Sequence, residues 1–217
     1  MGTIEAVIWD FGGVLTTSPF EAFNRYEQAH GLPNDFIRGI NATNPEGNAW
    51  AQFESAQLTL DEFDAAFAAE AAARGCKVPG RDVIALLSGD LRPRMVEVLK
   101  RCKAHFKVAC ITNNVKSGTG PAMATSDAKR EQTEAVMALF DLVVESSVEG
   151  IRKPNPEIYR LTCARLGVAP DACAFLDDLG INLKPARQLG MQTIKVVEEN
   201  QAIQELAEIT GIEMPAA

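Results

Sequence analysis

The chain has 217 residues, a formal net charge of −8, and 47% hydrophobic against 23% charged residues. That length can hold one sizeable core plus a smaller inserted unit, and the acidic balance lacks the basic footprint of a nucleic-acid binder. No apolar run is long enough to span a bilayer, no basic stretch leads into an apolar one as in a signal peptide, and Ala6 stands where a myristoylation signal needs Ser or Thr. The five cysteines have no paired zinc-site spacing, so they read as reduced thiols filling the core of a cytoplasmic protein.

In chain order, the first element is a buried strand over Ile4–Asp10, apolar and rich in branched residues. Two glycines, Gly12 and Gly13, follow it at once and allow a tight turn. Helical patterns come next. Ser18–Gly31 spaces Phe20, Phe23 and Tyr26 along one side, and Thr59–Gly75 has Thr59 as N-cap with Leu60, Phe63 and Phe67 on one stripe. Between them Ile40–Trp50 is polar and Asn-rich, and reads equally as a surface loop or as a substrate contact. A helix over Arg92–His105, with Met95, Val98 and Leu99 on one face, leads to a second strand at Phe106–Asn114. Lys116–Ser126 looks like a phosphate loop but lacks a third glycine and the Gly-Lys-Ser/Thr ending, so it reads as a loop at the edge of the sheet.

A helix from Ser126, its N-cap, with Asp127 at the positive end of the dipole, precedes a third strand at Asp141–Ser147. Asn155–Gly167 is a helix with Asn155 as cap, Pro156 in the first turn and Gly167 at the end. The fourth strand is Ala172–Asp178, a helix follows over Asn182–Gly190, and the fifth strand is Met191–Val197. Strands alternating with helices of this length predict an α/β fold with a parallel sheet of at least five strands, covered on both faces. The long stretch between the first two strands is no ordinary crossover. It predicts a helical unit over residues 17–91, inserted into a core made of residues 1–16 and 92–217. Leaving the sheet just after Asp10, the insertion would stand above the carboxyl ends of the strands, where open α/β sheets bind ligands.

Polar residues stand at those ends where a buried strand needs none: Asp10 on the first, Thr112, Asn113 and Asn114 on the second, Asp177 and Asp178 on the fourth. Lys153 precedes a helix and is a further candidate. Each alone has a plain structural reading as a turn or surface residue. Together they offer three carboxylates, an ammonium and a hydroxyl with amide donors. Adjacent carboxylates repel unless a cation or donors compensate, and a carboxylate nucleophile facing phosphate needs the same help. Phosphoryl transfer assisted by a hard divalent cation suits this set.

Four motifs carry a resemblance: "DFGGV" from Asp10, "ITNN" ending at Asn114, "RKPNPEIY" around Lys153, and "FLDDLGINLKPARQLGM" from Phe175. In this order, over nearly the whole chain, they resemble the haloacid dehalogenase-like hydrolases, in particular the N-terminal phosphatase domains of soluble epoxide hydrolases and their bacterial relatives. The resemblance implies a Rossmann-like core with an α-helical cap domain, Mg²⁺ as cofactor and a small phosphate ester as substrate, without nucleic-acid or membrane partners. It implies Asp10 as the nucleophile that forms an aspartyl-phosphate, Thr112 and Asn113 as phosphoryl-binding residues, and Lys153 as the residue that stabilises charge. It also implies Asp178, Asp10 and the Gly12 carbonyl as metal ligands, with Asp177 and Asn182 supporting the metal from behind. The departure is Gly12, where phosphatases of this family usually carry a second Asp that protonates the leaving alcohol and later activates water. The readings that follow are a phosphatase with a good leaving group or another proton source, and a phosphate-ligand binding protein with little turnover. A 2-haloacid dehalogenase is the competing enzyme, disfavoured by the Asp177–Asp178 pair.

Overall fold

The computed structural model describes residues 3–114 and 127–215. Ser126 and the Lys116–Ser126 stretch therefore lie outside the described residues. Five strands, β1 (Ala6–Trp9), β2 (Lys107–Thr112), β3 (Leu142–Glu145), β4 (Cys173–Asp177) and β5 (Gln192–Lys195), form one parallel sheet in the order β3-β2-β1-β4-β5. β1 is central, with Trp9 level with Cys110 on β2 and Leu176 on β4. The polar carboxyl ends of three adjacent strands therefore finish side by side.

Every residue of β1 is buried, because helices cover both faces. The two-residue period divides the strand between two cores. Val7 and Trp9 face one core, built with α6 (Pro93–Lys103), α7 (Asp127–Met137) and α11 (Glu199–Thr210). Ala6 and Ile8 face the other, built with α9 (Pro156–Leu166) and α10 (Gly180–Gln188). Met95, Val98 and Leu99 of α6 are fully buried, as their spacing predicts. In α9, Asn155 accepts from the Glu157 N–H at 3.0 Å, Pro156 sits in the first turn, and Gly167 closes the helix at φ +65°. The five cysteines are all free thiols, four of them buried. Among the described residues no helix is long and apolar enough to cross a membrane.

The ladders are shorter than the apolar runs that predict them. Beyond Thr112, Asn113 and Asn114 leave the sheet to bond Lys153 and Ser146. Ser146 and Ser147, read from sequence as the end of the third strand, instead start a short helix, α8 (Ser146–Glu149). The Ser146 hydroxyl accepts from the Asn114 N–H at 3.0 Å, and Asn114 Oδ1 accepts from the Ser147 N–H at 3.2 Å. At the ends of β2 and β3, side-chain partners win over further ladder bonds.

Between β1 and α6 stand five helices: α1 (Pro19–Ala29), α2 (Phe36–Ala42), α3 (Ala49–Glu54), α4 (Leu60–Ala73) and α5 (Gly80–Ala85). They enclose a core of their own around Phe23, Phe53, Phe63 and Phe67. Phe53 and Phe63 stack with centroids 4.4 Å apart, and Trp50 meets Phe63 edge-on at 5.8 Å. Thr59 and Glu62 form a reciprocal capping box at the start of α4. The insertion leaves and returns through a paired neck, with an antiparallel bridge between Thr16 and Leu91 and backbone bonds Thr17 N–H to Asp90 O and Arg92 N–H to Leu15 O, both 2.8 Å. The Asn-rich stretch ends α2 and begins α3, with turns only over residues 43–48 between them. Asn48 accepts from the Ala51 N–H at 2.7 Å, which caps α3, and its amide donates to the carbonyls of Asn41 and Thr43 at 2.9 Å each.

Candidate active site

Four of the predicted polar groups meet at the carboxyl ends of β1 and β4. Asp10, the first residue past β1, is 8% exposed. Its Oδ1 accepts from the Phe11 N–H at 2.6 Å and lies 2.8 Å from Lys153 Nζ. The same ammonium lies 2.8 Å from Asp177 Oδ2. Lys153 is thus an internal strut between two carboxylates, although a lone sequence lysine reads as a surface residue. Its backbone is braced as well. Asn113 Nδ2 donates to the Lys153 carbonyl at 3.0 Å, and Asn113 Oδ1 accepts from the Lys153 N–H at 2.9 Å.

Asp177 is fully buried and saturated. Besides Lys153 it accepts from the Leu179 N–H at 2.8 Å and from Asn182 Nδ2 at 3.0 Å on both oxygens. Asp178 differs: its carboxylate has a long contact of 3.5 Å from the Ser18 hydroxyl and otherwise faces the site. Oxygens of Asp10, Asp177 and Asp178 all lie within 4.8 Å of one another. Burial first, then the charges of Asp177 and Asp178, hold the Asp10 carboxyl well above the usual carboxylate range against the pull of Lys153. Asp178 is pushed up to about 6, by burial and then by Asp177. Lys153 is raised despite burial, because Asp10 and Asp177 favour its charged form. Three carboxylates against one ammonium leave a negative surplus in a poorly solvated place. Oxygen donors with that surplus, one of them nearly free, fit a hard divalent cation.

The two glycines after Asp10 do different things. Gly13 has φ +75°, and a Cβ there would stand 2.3 Å from Asp178 Oδ2. Only glycine lets the turn pass the carboxylate. A Cβ on Gly12 would meet nothing within 4 Å. Position 12 faces open space and does not sterically require glycine.

That space is a cavity of about 420 Å³ between the sheet and the insertion. Asp10, Gly12, Thr112, Asn113, Lys153 and Asp178 line its floor. Thr112 ends β2 and is 5% exposed. The walls are largely apolar: Phe20, Phe23, Trp50, Leu87, Leu179 and Ile181. The Asn-rich stretch reaches the cavity through Asn41, Pro45 and Glu46.

Glu54 on α3 and Arg152 beside Lys153 also line the cavity, and neither stands out in the sequence as a site residue. Arg152 Nε stands 2.7 Å from Glu54 Oε2, and Arg152 Nη1 donates to the Pro45 carbonyl at 3.0 Å. The Ser146 hydroxyl also donates to the Glu54 carbonyl at 2.9 Å. These contacts tie the insertion to the core. Arg152 lies inside a quoted motif, but its partner is almost a hundred positions away, and nothing local marks Glu54.

The family model for haloacid dehalogenase-like hydrolases matches residues 4–190, from the first strand through the acidic pair and α10. The chain belongs to the haloacid dehalogenase-like hydrolases. The mouse bifunctional epoxide hydrolase 2 is 30% identical to this hydrolase over 231 residues, which cover 99% of this chain and 40% of that protein. A sesquiterpene phosphatase from Aspergillus oryzae is 25% identical, with 96% of this chain and 98% of that one covered. A family enzyme from Bacteroides thetaiotaomicron, crystallised with magnesium and inorganic phosphate, superposes with a TM-score of 0.57 at 21% identity over 90% of this chain and 96% of that one. The hydrolase spans between a fifth and two fifths of the mammalian relatives it matches.

Proposed function

We propose that this hydrolase is a Mg²⁺-dependent phosphomonoesterase that passes the phosphoryl group through Asp10. The observation that carries the reading is the buried Asp10–Lys153–Asp177 chain with Asp178 left facing the cavity. Asp10, Asp178 and the Gly12 carbonyl would hold the metal, with Asp177 and Asn182 behind them. Bound there, Mg²⁺ would neutralise phosphate charge and lower the repulsion between substrate and nucleophile.

The chain's own residues do the rest. The Phe11 N–H and Lys153 fix one oxygen of Asp10, so the carboxylate is oriented before a substrate arrives. Lys153 keeps Asp10 available as an anion and offers positive charge to the phosphoryl oxygens. Asp177 and Asn113 hold that lysine from its two ends. The Thr112 hydroxyl and the backbone at Asn113 bound the phosphoryl position. Attack by Asp10 would form an aspartyl-phosphate and release the alcohol; water would then cleave it to phosphate. The helices over residues 17–91 act as the cap, and their apolar walls favour an ester with an apolar leaving group, in keeping with the sesquiterpene phosphatase relative. The free thiols suit a cytoplasmic protein.

A panel of small phosphate esters tests this, including terpenyl and anomeric sugar phosphates. The expected result is phosphate release that needs Mg²⁺ and is abolished in Asp10→Asn. Gly12 favours a second reading, a phosphate-ligand binding protein; binding of a phosphate mimic with Mg²⁺ but no release from any ester would establish it. Halide release from a 2-haloacid in the presence of EDTA would replace both readings with a dehalogenase.

A further inference from the structure

We infer that Glu54, carried by the helical insertion, is the acid–base group that serves the leaving group in place of a carboxyl at position 12. The inference rests on the phosphatase reading above. An alkoxide is a poor leaving group, and a positioned acid contributes on the order of 10²–10⁴-fold. Gly12 cannot provide one. Among the described residues four carboxylates line the cavity: Asp10, Glu46, Glu54 and Asp178. Asp10 is the proposed nucleophile and Asp178 a proposed metal ligand. Glu46 is exposed to solvent. Neither histidine of the chain, His30 or His105, lines the cavity, and neither does any tyrosine or cysteine. Glu54 is left, and it is 6% exposed.

Its placement fits the task. Glu54 ends α3 in the insertion and lines the same cavity as Asp10, the space that receives the ester's alcohol once its phosphate is seated over the strand ends. The Ser146 hydroxyl pins its carbonyl at 2.9 Å. Arg152 stands 2.7 Å from Oε2, but its N–H is not aimed at that oxygen, so the contact is an ion pair without a well-formed hydrogen bond. The groups acting on Glu54 are Arg152 and Lys153 from the core and the Trp50 side chain on its own helix; Arg38 and Glu46 of the same insertion line the cavity with it. Burial raises the Glu54 carboxyl against the opposing pull of Arg152. The carboxylate left after transfer has a counter-ion in place in Arg152.

The steps balance. As the Asp10 oxygen–phosphorus bond forms and the ester P–O bond breaks, the electron pair goes to the leaving oxygen, and Glu54 gives that oxygen its proton. The Glu54 carboxylate then takes a proton from water as the water oxygen attacks phosphorus. The bond to Asp10 breaks, inorganic phosphate leaves, and Asp10 is a carboxylate again. Arg152 is a positioning residue for Glu54.

The test compares kcat/KM of Glu54→Gln on two esters with Mg²⁺: a primary alkyl phosphate, and 2,4-dinitrophenyl phosphate, whose phenolate needs no proton. Because kcat/KM covers only the steps through the first irreversible one, loss of water activation does not enter. We expect a fall of about 10²–10⁴-fold on the alkyl ester and a change within about tenfold on the dinitrophenyl ester. Adding Gly12→Asp, which the open space at position 12 admits, should raise the alkyl rate of the Glu54→Gln protein again. Equal losses on both esters would overturn the inference and make Glu54 a structural tie; no loss on either would overturn it too. If Glu54→Gln does not fold, the wild-type pH profile decides. An alkaline limb in kcat/KM for the alkyl ester that is absent for the dinitrophenyl ester supports the acid, and identical profiles overturn it. A wild-type protein that releases phosphate from neither ester refutes the phosphatase reading itself, a result distinct from turnover that ignores position 54.

Discussion

Replacing Lys153 by methionine removes one ammonium and keeps most of the side-chain volume, so the result reports on charge more than on packing. The ammonium is 1% exposed and lies 2.8 Å from both Asp10 and Asp177. At an effective dielectric of about 20, each contact is worth roughly 6 kcal/mol before desolvation. Much of that gross attraction offsets the cost of burying the three charges. Loss of the shared partner strands two carboxylates, and breaking a buried pair in this way costs about 3–5 kcal/mol. Asp10, already raised by burial against the pull of Lys153, would rise further in the variant. A raised carboxyl makes the folded state bind more protons than the unfolded one, so stability falls as pH climbs above the unfolded value of 3.8. The deficit against wild type is therefore largest near neutral pH and shrinks toward pH 4. Urea unfolding of both metal-free proteins at pH 7.5 and pH 5 measures it. A deficit below about 1 kcal/mol at pH 7.5, or one of the same size at both pH values, would refute the strut.

Other outcomes follow from neighbouring residues. Gly13→Ala should destabilise by more than the roughly 1–2 kcal/mol of a left-handed non-glycine, because its Cβ displaces Asp178, and it should weaken Mg²⁺ binding in titration calorimetry. Gly12→Ala, with open space and no left-handed φ, should be neutral or stabilise by about 0.4–1 kcal/mol; equal effects at the two glycines would contradict the geometry of the turn. Metal-free wild type should lose stability as pH rises from about 4 to about 6, the span between the unfolded and folded values of Asp178. The ceiling is about 3 kcal/mol, less for a half-buried group, and Asp178→Asn should flatten this part of the thermal-shift profile. Asn113→Ala removes two hydrogen bonds from the Lys153 backbone and should cost about 1–3 kcal/mol by urea unfolding.

The sheet was readable because its strands are buried on both faces and therefore continuous in apolar residues. The helices were readable where caps and period agree, as at Thr59 and Asn155. Strand ends were overrun because an apolar run does not show where a side chain will outbid the ladder. Ser146 turns to Asn114 and Glu54, and that choice depends on residues far away in the chain. The same limit explains the site. Asp10, Thr112 and Asp178 each have a plain local reading, and stand out only because they recur at the ends of buried apolar strands. Lys153 needed its companions, because only the fold shows it to be an internal ion. Asn113 braces Lys153 with its amide through two hydrogen bonds across forty positions that no local signal carries. Glu54 carries no local sign at all: it sits on a six-residue helix and acquires a meaning only where that helix closes over the sheet. Polar groups rooted in the sheet are legible as a set because burial makes polarity anomalous there. A group supplied by an inserted helix is one acid among 29 acidic residues until packing selects it.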